Sequence, residues 1–376
     1  IGQAWGAKDP GKVRRIAGTV LLGGLLLGIA VCLAGQAGIA PVLRGLGTPA
    51  DILPQATGYA RVMLLALPPM FVSMLAASIL RGLGDTVTPL RMLVVACIVS
   101  MLVTPALILG WLGLPPLGVA SAAWANLAAS AAGLAWLAWH LARRRHALRA
   151  TELRGHFRLD AAILKTTVRL GIPTGLFFVT GSLADLALLS LVHRHGSDAT
   201  AAWGAVNQVM AYVQFPAMSI AMAATVFTAQ AIGAKQWHEV DHVTRVGLGL
   251  NLVLTAGVAA LVALAAPWAA ALFLKDPDVV ATTASLLRIT VWGSIAFGMA
   301  SVFTGVMRAA GTVRVPTMIS LGCIAFLLVP FGWLLNRALG LHGIWVSYPL
   351  TYACALVLQA LYFYGVWKKR SVVQLV

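Results

Sequence analysis

The sequence predicts an all-α polytopic membrane protein with about ten transmembrane helices arranged in two lobes. Three observations lead there. Of its 376 residues 60% are hydrophobic and only 10% charged, against about 25% charged in an ordinary soluble domain. Mean hydropathy is +0.88. The charged residues also cluster between long apolar runs instead of being spread along the chain. A soluble fold cannot hide that much apolar surface in one core. A soluble enzyme, a disordered chain and a secreted disulfide scaffold are therefore excluded. Cys32, Cys97, Cys323 and Cys354 all lie in apolar stretches without metal-ligand spacing and read as packing residues.

Each span follows from the charges that bound it. Residues 16–40 lie between Arg15 and Arg44, and 58–80 lead to Arg81. The charge-free run from Arg91 to Arg143 is too long for one crossing of about 20 residues. Pro115-Pro116 divides it into 90–111 and 117–141. Residues 168–193 are apolar except for Arg169 and Asp185, and 200–228 fall between Asp198 and Lys235. The remaining spans are 243–267 before Lys275, 280–305 before Arg308, 315–336 after Arg314, and 342–367 before Lys368. Internal Gly and Pro do not argue against helix in lipid.

Ten spans return both ends to one side. That side collects the opening Lys8, Lys12, Arg14 and Arg15, then Arg81 and Arg91, the loop from Arg143 to Arg169, Lys235 and Arg245, Arg308 and Arg314, and Lys368-Lys369-Arg370. Of the 27 Lys+Arg only Arg44, Arg61, Arg194, Lys275, Arg288 and Arg337 remain for the other. The basic side is expected to be cytoplasmic, both ends of the chain with it, in a bacterial inner membrane. This distribution accounts for the net charge of +16, so no nucleic-acid partner is expected. Trp111 and Trp268, near span ends, fit an interfacial belt.

The chain repeats itself. Gln3-Ala4-Trp5-Gly6-Ala7-Lys8 recurs 227 residues later as Gln230-Ala231-Ile232-Gly233-Ala234-Lys235. At the same offset Arg81-Gly82-Leu83-Gly84-Asp85-Thr86-Val87-Thr88-Pro89 recurs as Arg308-Ala309-Ala310-Gly311-Thr312-Val313-Arg314-Val315-Pro316, and Arg61 falls on Arg288. Six spans separate the copies, so the halves share one orientation. The second copy follows two helices that the first lacks; with Ile1 opening the chain, two N-terminal helices are expected to be missing from a six-plus-six protein. The lobes are then 1–142 (four helices) and 168–376 (six), joined by a basic linker, 143–167, on the membrane surface. Both motifs read as cytoplasmic hinges: a glycine ends one helix in a left-handed conformation, Thr88 caps the next and Pro89 opens it.

In these motifs the chain resembles the multidrug and toxic compound extrusion (MATE) family: Gln230 to Lys235 closing a long helix, Arg81 to Pro89, and Arg169-Leu170-Gly171-Ile172-Pro173 after the linker. The resemblance implies two six-helix lobes around a central cavity. It further implies a secondary antiporter that exports organic, often cationic, compounds in exchange for protons or sodium. Small organic cations, a coupling cation (H+ or Na+) and membrane lipids would be the partners of a monomer with no cofactor. Many bacterial relatives carry an acid in the first helix and a glutamate in the seventh, the latter near Gly181 here. This chain has neither, and no acid in 280–305. A lipid-linked precursor flippase of related fold is the alternative; it calls for a strongly basic cavity, and only Arg61 and Arg288 lie near spans.

Asp185 is the acid deepest in any span. Eight residues, about 12 Å, separate it from the outer end of its helix. Asn207 and Arg288 fall at similar depth, and the three form a candidate ion-coupling cluster. An intramembrane carboxylate is expensive unless neutral, paired or wet; a static Asp185–Arg288 pair is the competing structural reading. Gln208, Tyr212 and Gln214 follow Asn207 on the same helix and with Trp203 could line a substrate cavity through cation–π and amide contacts; helix-packing hydrogen bonds are the competing reading. Asn126 and Asn251 read as packing groups. His193 and His195 read as solvated loop residues, and no metal site is assigned. No nucleophile elbow, phosphate loop or zinc-protease motif occurs, so no catalytic residue is assigned and an enzyme is not expected.

Overall fold

The computed structural model describes residues 1–45, 48–110, 118, 120–143 and 155–369. The Pro115-Pro116 break, Trp111, Arg144-Arg145 and Arg370 lie outside the described residues. The described chain is helical: α1 (Gly2–Gly6), α2 (Pro10–Gly45), α3 (Leu53–Leu65), α4 (Leu67–Gly82), α5 (Val87–Leu109), α6 (Ala120–Arg143), α7 (Ala161–His193), α8 (Ser197–Gly233), α9 (Trp237–Leu264), α10 (Ala266–Ala271), α11 (Pro277–Thr290), α12 (Gly293–Ala309), α13 (Arg314–Cys323), α14 (Val329–Leu339) and α15 (Leu341–Tyr362). Two π-helical turns, Ile324–Leu328 and Phe363–Trp367, sit in the last two spans. Among the described residues nine helical stretches are long and apolar enough to cross a membrane. The tenth expected span forms as α6, 24 residues long. Its alanines, serines and Asn126 make it less apolar than the other nine.

The chain divides into two compact units, the first running to Thr166 and the second beginning at Thr167. In the first, α2 packs on α3 and α4, and α5 packs on α6. In the second, α12 is the central helix, flanked by α8, α9 and α15. Glycines let it approach: a Cβ on Gly293 would lie 2.9 Å from Pro349 Cα, and one on Gly305 2.8 Å from the Ala221 carbonyl oxygen. Without a water-driven effect between helices in lipid, such close backbone contact is what holds them. Asn251 is 0% exposed. Its amide donates to the Ala217 carbonyl at 3.1 Å and its oxygen accepts from Thr255 at 3.1 Å, so it is a packing residue. Asn126 is exposed on α6.

The repeat is legible in the backbone. Lys8 and Lys235 are the positive-φ non-glycine residues among those described, at 55° and 60°, and Gly84 and Gly311 reach 91° and 81°. A stacked pair four residues apart also recurs: Trp136–His140 at 4.9 Å and Phe363–Trp367 at 5.0 Å. Positions 36 and 61 are joined by Gln36 donating to the Arg61 carbonyl at 2.8 Å. Their counterparts are joined the other way round, Arg288 donating to the Ala263 carbonyl at 3.2 Å.

Two local expectations change. Thr88 does not cap α5: the helix begins at Val87 and the Asp85 carboxylate accepts from the Val87 and Thr88 amides at 3.1 and 2.9 Å. Asp85 is two residues upstream of the helix, where its short acceptor reaches two orphan amides. The linker is shorter than 143–167, because α7 starts at Ala161. Asp160 accepts from the Ala162 amide at 2.9 Å and pairs with Arg15. Thr19 donates to the Arg158 carbonyl at 2.9 Å, and Gly18 leaves room for the His156 backbone. The end of the linker is thus docked on α2. The capping bonds, joined by Arg15, hold the Asp160 carboxyl below the usual carboxylate range.

Candidate functional site

Only the last third of α7 is packed. Ala184, Leu188, Leu191 and Val192 are its buried residues, and Asp185 stands beside them on the exposed side. Tyr348 of α15 donates its hydroxyl to Asp185 Oδ1 at 3.0 Å. The Gln214 side chain of α8 lies beside Tyr352, next to this pair. Trp345, Tyr348 and Tyr352 fall three and four residues apart, hence on one face of α15. They form a ladder: Trp345 stacks on Tyr348 at 5.8 Å, Tyr348 tilts toward Tyr352 at 6.2 Å, and Phe297 of α12 closes on Tyr352 at 5.3 Å. The result is an exposed carboxylate backed by aromatic rings, with one phenol donor and an amide within the same group.

Asp185 is also the deepest acid in the described helices. Asp198, Glu239, Asp241 and Asp278 fall within the first five residues of theirs. A carboxylate in that position needs water, a proton or a cation. Among the described residues no ion pair reaches it, from Arg288 or from any other cation. The Arg288 guanidinium turns to the Ala263 carbonyl at the end of α9 instead. Backbone carbonyls at a helix end are unpaired acceptors, and they hold this arginine.

The other candidates separate. Asn207, Gln208 and Tyr212 are exposed on α8, with Tyr212 beside Phe215 at 6.1 Å. No hydrogen bond among the described residues joins Asn207 to Asp185. Gln214, half-buried, does belong to the Asp185 group. Trp203 does not line a recess: it is 7% exposed and packs on Trp345 at 4.8 Å, behind the carboxylate. Of the hinge residues, Gln3, Thr88, Pro89, Gly233 and Pro316 are buried. Arg81, Gly84, Asp85 and Gly311 form the turns described above; Gly6 and Gln230 are half-buried near helix ends. His195 contacts Asn336 at 2.7 Å. Among the described residues no group of three His, Cys, Asp or Glu is close enough to hold a metal.

Tyr348, Tyr352, Trp345 and Phe297 went unread in the sequence. The three aromatics on α15 carried a signal, a one-face spacing inside an apolar span. Nothing local tied them to Asp185, which is 163 residues away from Tyr348.

An internally repeated bundle of apolar helices with one exposed intramembrane acid defines a polytopic membrane protein of the transporter class. The MatE family model matches residues 1–106 and 173–334, and the chain belongs to that family; it is a transporter and not an enzyme. It is 36% identical over 379 residues to the probable multidrug resistance protein YoeA of Bacillus subtilis (strain 168), covering 100% of this chain and 82% of that one. It is 23% identical to the probable multidrug resistance protein NorM of Geobacillus kaustophilus (strain HTA426), covering 99% and 82%. In fold it is similar to a point mutant of the Vibrio cholerae MATE transporter VcmN, with a TM-score of 0.90 at 19% identity, covering 99% of this chain and 83% of that one. It is likewise similar to an outward-facing multidrug resistance MATE transporter, with a TM-score of 0.88 at 22% identity, covering 98% and 81%.

Proposed function

We propose that the protein is a multidrug efflux antiporter of the cell membrane. It exports small organic, often cationic, compounds in exchange for protons or sodium, with its basic loops on the cytoplasmic side. The observation that carries the reading is Asp185: an exposed carboxylate within a span, held by a phenol and in no ion pair among the described residues. Such a group exchanges one small cation for another at little structural cost, because its partner Tyr348 donates to the charged form and accepts from the protonated one. Tyr352, Phe297 and Gln214 flank it with ring faces and an amide, the surfaces a flat organic cation takes. An ion bound at Asp185 favours one state of access, and the drug favours the other; that difference in affinity is the coupling.

The test is ethidium accumulation in cells lacking their own pumps. Expression of the protein is expected to lower accumulation. A protonophore, or removal of sodium, is expected to abolish the effect and so name the coupling ion. Asp185→Asn, expressed at the normal level, is expected to lose it as well. Full export by Asp185→Asn would remove Asp185 from the mechanism.

A further inference from the structure

We infer that the segment Phe363–Lys369 is a clasp that holds the α12–α13 turn of the second unit and sets how often that turn opens. The two halves build this turn differently on one frame. In the first, Asp85 caps the following helix. In the second, position 312 is threonine, and no hydrogen bond among the described residues runs from an α13 amide to its side chain. The Thr312 hydroxyl is occupied instead by the Trp367 indole, which donates to it at 3.0 Å. Further along α15, Gln359 donates to the Pro316 carbonyl at 2.8 Å and to Ser320 at 3.2 Å. The turn and the start of α13 are therefore held from α15 and its continuation.

Phe363–Trp367 is a π-helical turn; Phe363 and Trp367 stack at 5.0 Å and both point inward, at 1% and 5% exposed. Phe363 also meets Phe303 of α12 at 5.0 Å. One residue on, Lys368 pairs with Asp241 of α9 at 2.8 Å. The first half keeps the stacked pair, as Trp136–His140. It has Leu141 where the second has Lys368, and Arg14 where the second has Asp241. The second half thus carries an ion pair that Leu141 could not form, and a π-turn in a helix is a recurrent mark of a functional position. The ion pair is half-exposed, so it is weak enough to open and close.

Hydrogen exchange on the purified full chain reads the clasp without any transport assay. Lys368→Glu is expected to raise exchange of the amides at 310–313 by about fivefold, the equivalent of an exposed ion pair at the upper end of its usual strength. The charge-swapped Asp241→Lys/Lys368→Asp protein is expected to return it to the parent value. Trp367→Phe keeps the stack, loses the N–H, and is expected to raise exchange at the same amides while leaving α8 unchanged. Unchanged exchange in Lys368→Glu, or a swap that fails to restore it, would overturn the clasp. So would a Trp367→Phe protein that exchanges like the parent.

Discussion

Gly298→Ala tests the packing that holds the second unit together. Gly298 lies mid-way along α12, where a Cβ would fall 2.9 Å from Ala217 Cβ and closer still to the Asn251 side-chain oxygen. Neither neighbour yields easily. Ala217 Cβ is fixed to the α8 backbone, and Asn251 is tied to the Ala217 carbonyl and to Thr255. Forcing a methyl into a packed site costs about 1–3 kcal/mol. Breaking the Asn251 bonds adds roughly 0.6–1.7 kcal/mol, the range for interhelical bonds in lipid. The sum, about 2–4 kcal/mol, lowers the unfolding midpoint on the order of 5–15 °C. With Cys97 and Cys354 replaced by alanine, a thiol-reactive dye reaches the buried Cys32 and Cys323 only on unfolding and reports the midpoint in detergent. Gly249→Ala is the control: no atom lies within 4 Å of its added Cβ, so the midpoint should stay put or rise. If the two variants unfold within a degree or two of each other, the glycine-mediated approach of α12 to α8 and α9 does not hold the unit.

Three further outcomes follow from the same geometry. Gly84→Ala and Gly311→Ala should each cost about 1–2 kcal/mol, since both positions sit at strongly positive φ; similar losses in the dye assay would show that the halves use one turn. Lys235→Gly should be neutral or stabilise by up to about 1 kcal/mol by relieving the left-handed backbone at φ 60°, whereas Lys235→Val should destabilise. The docking of residues 155–160 on α2 should depend on acid. The Asp160 carboxyl is held below its usual range, so its contribution is complete above about pH 4 and is lost as pH falls from there through the depressed native value. Protection at 155–160, taken as exchange relative to the intrinsic rate at each pH from 7 to 3, should fall at the acid end, and Asp160→Asn should remove the fall.

The spans and the repeat could be read because charge and motif spacing are strong, one-dimensional signals. The offset that aligned Lys8 with Lys235 and Gly84 with Gly311 also aligned their unusual backbone angles. Span ends were read too short: α2 and α7 begin six and seven residues earlier than expected, because charged residues continue a helix once it leaves the apolar core. Asp185 stood out because an acid in an apolar span is expensive. Its partner could not be read: in lipid both faces of a span are apolar, and periodicity does not say which aromatic faces the acid. For the same reason Trp203 looked like cavity lining and is core. Depth alone brought Arg288 near Asp185, but an arginine can be satisfied by any free carbonyl, and Ala263 supplied one.

Vesicles reconstituted with the purified protein and loaded with an ion gradient put the role of Asp185 in driving export to the test. If ion movement at Asp185 drives export, a fluorescent cation accumulates against its own gradient, the accumulation collapses when the ion gradient is dissipated, and Asp185→Asn loses it. Accumulation by Asp185→Asn equal to that of the parent, or uphill transport with no gradient imposed, rules that coupling out.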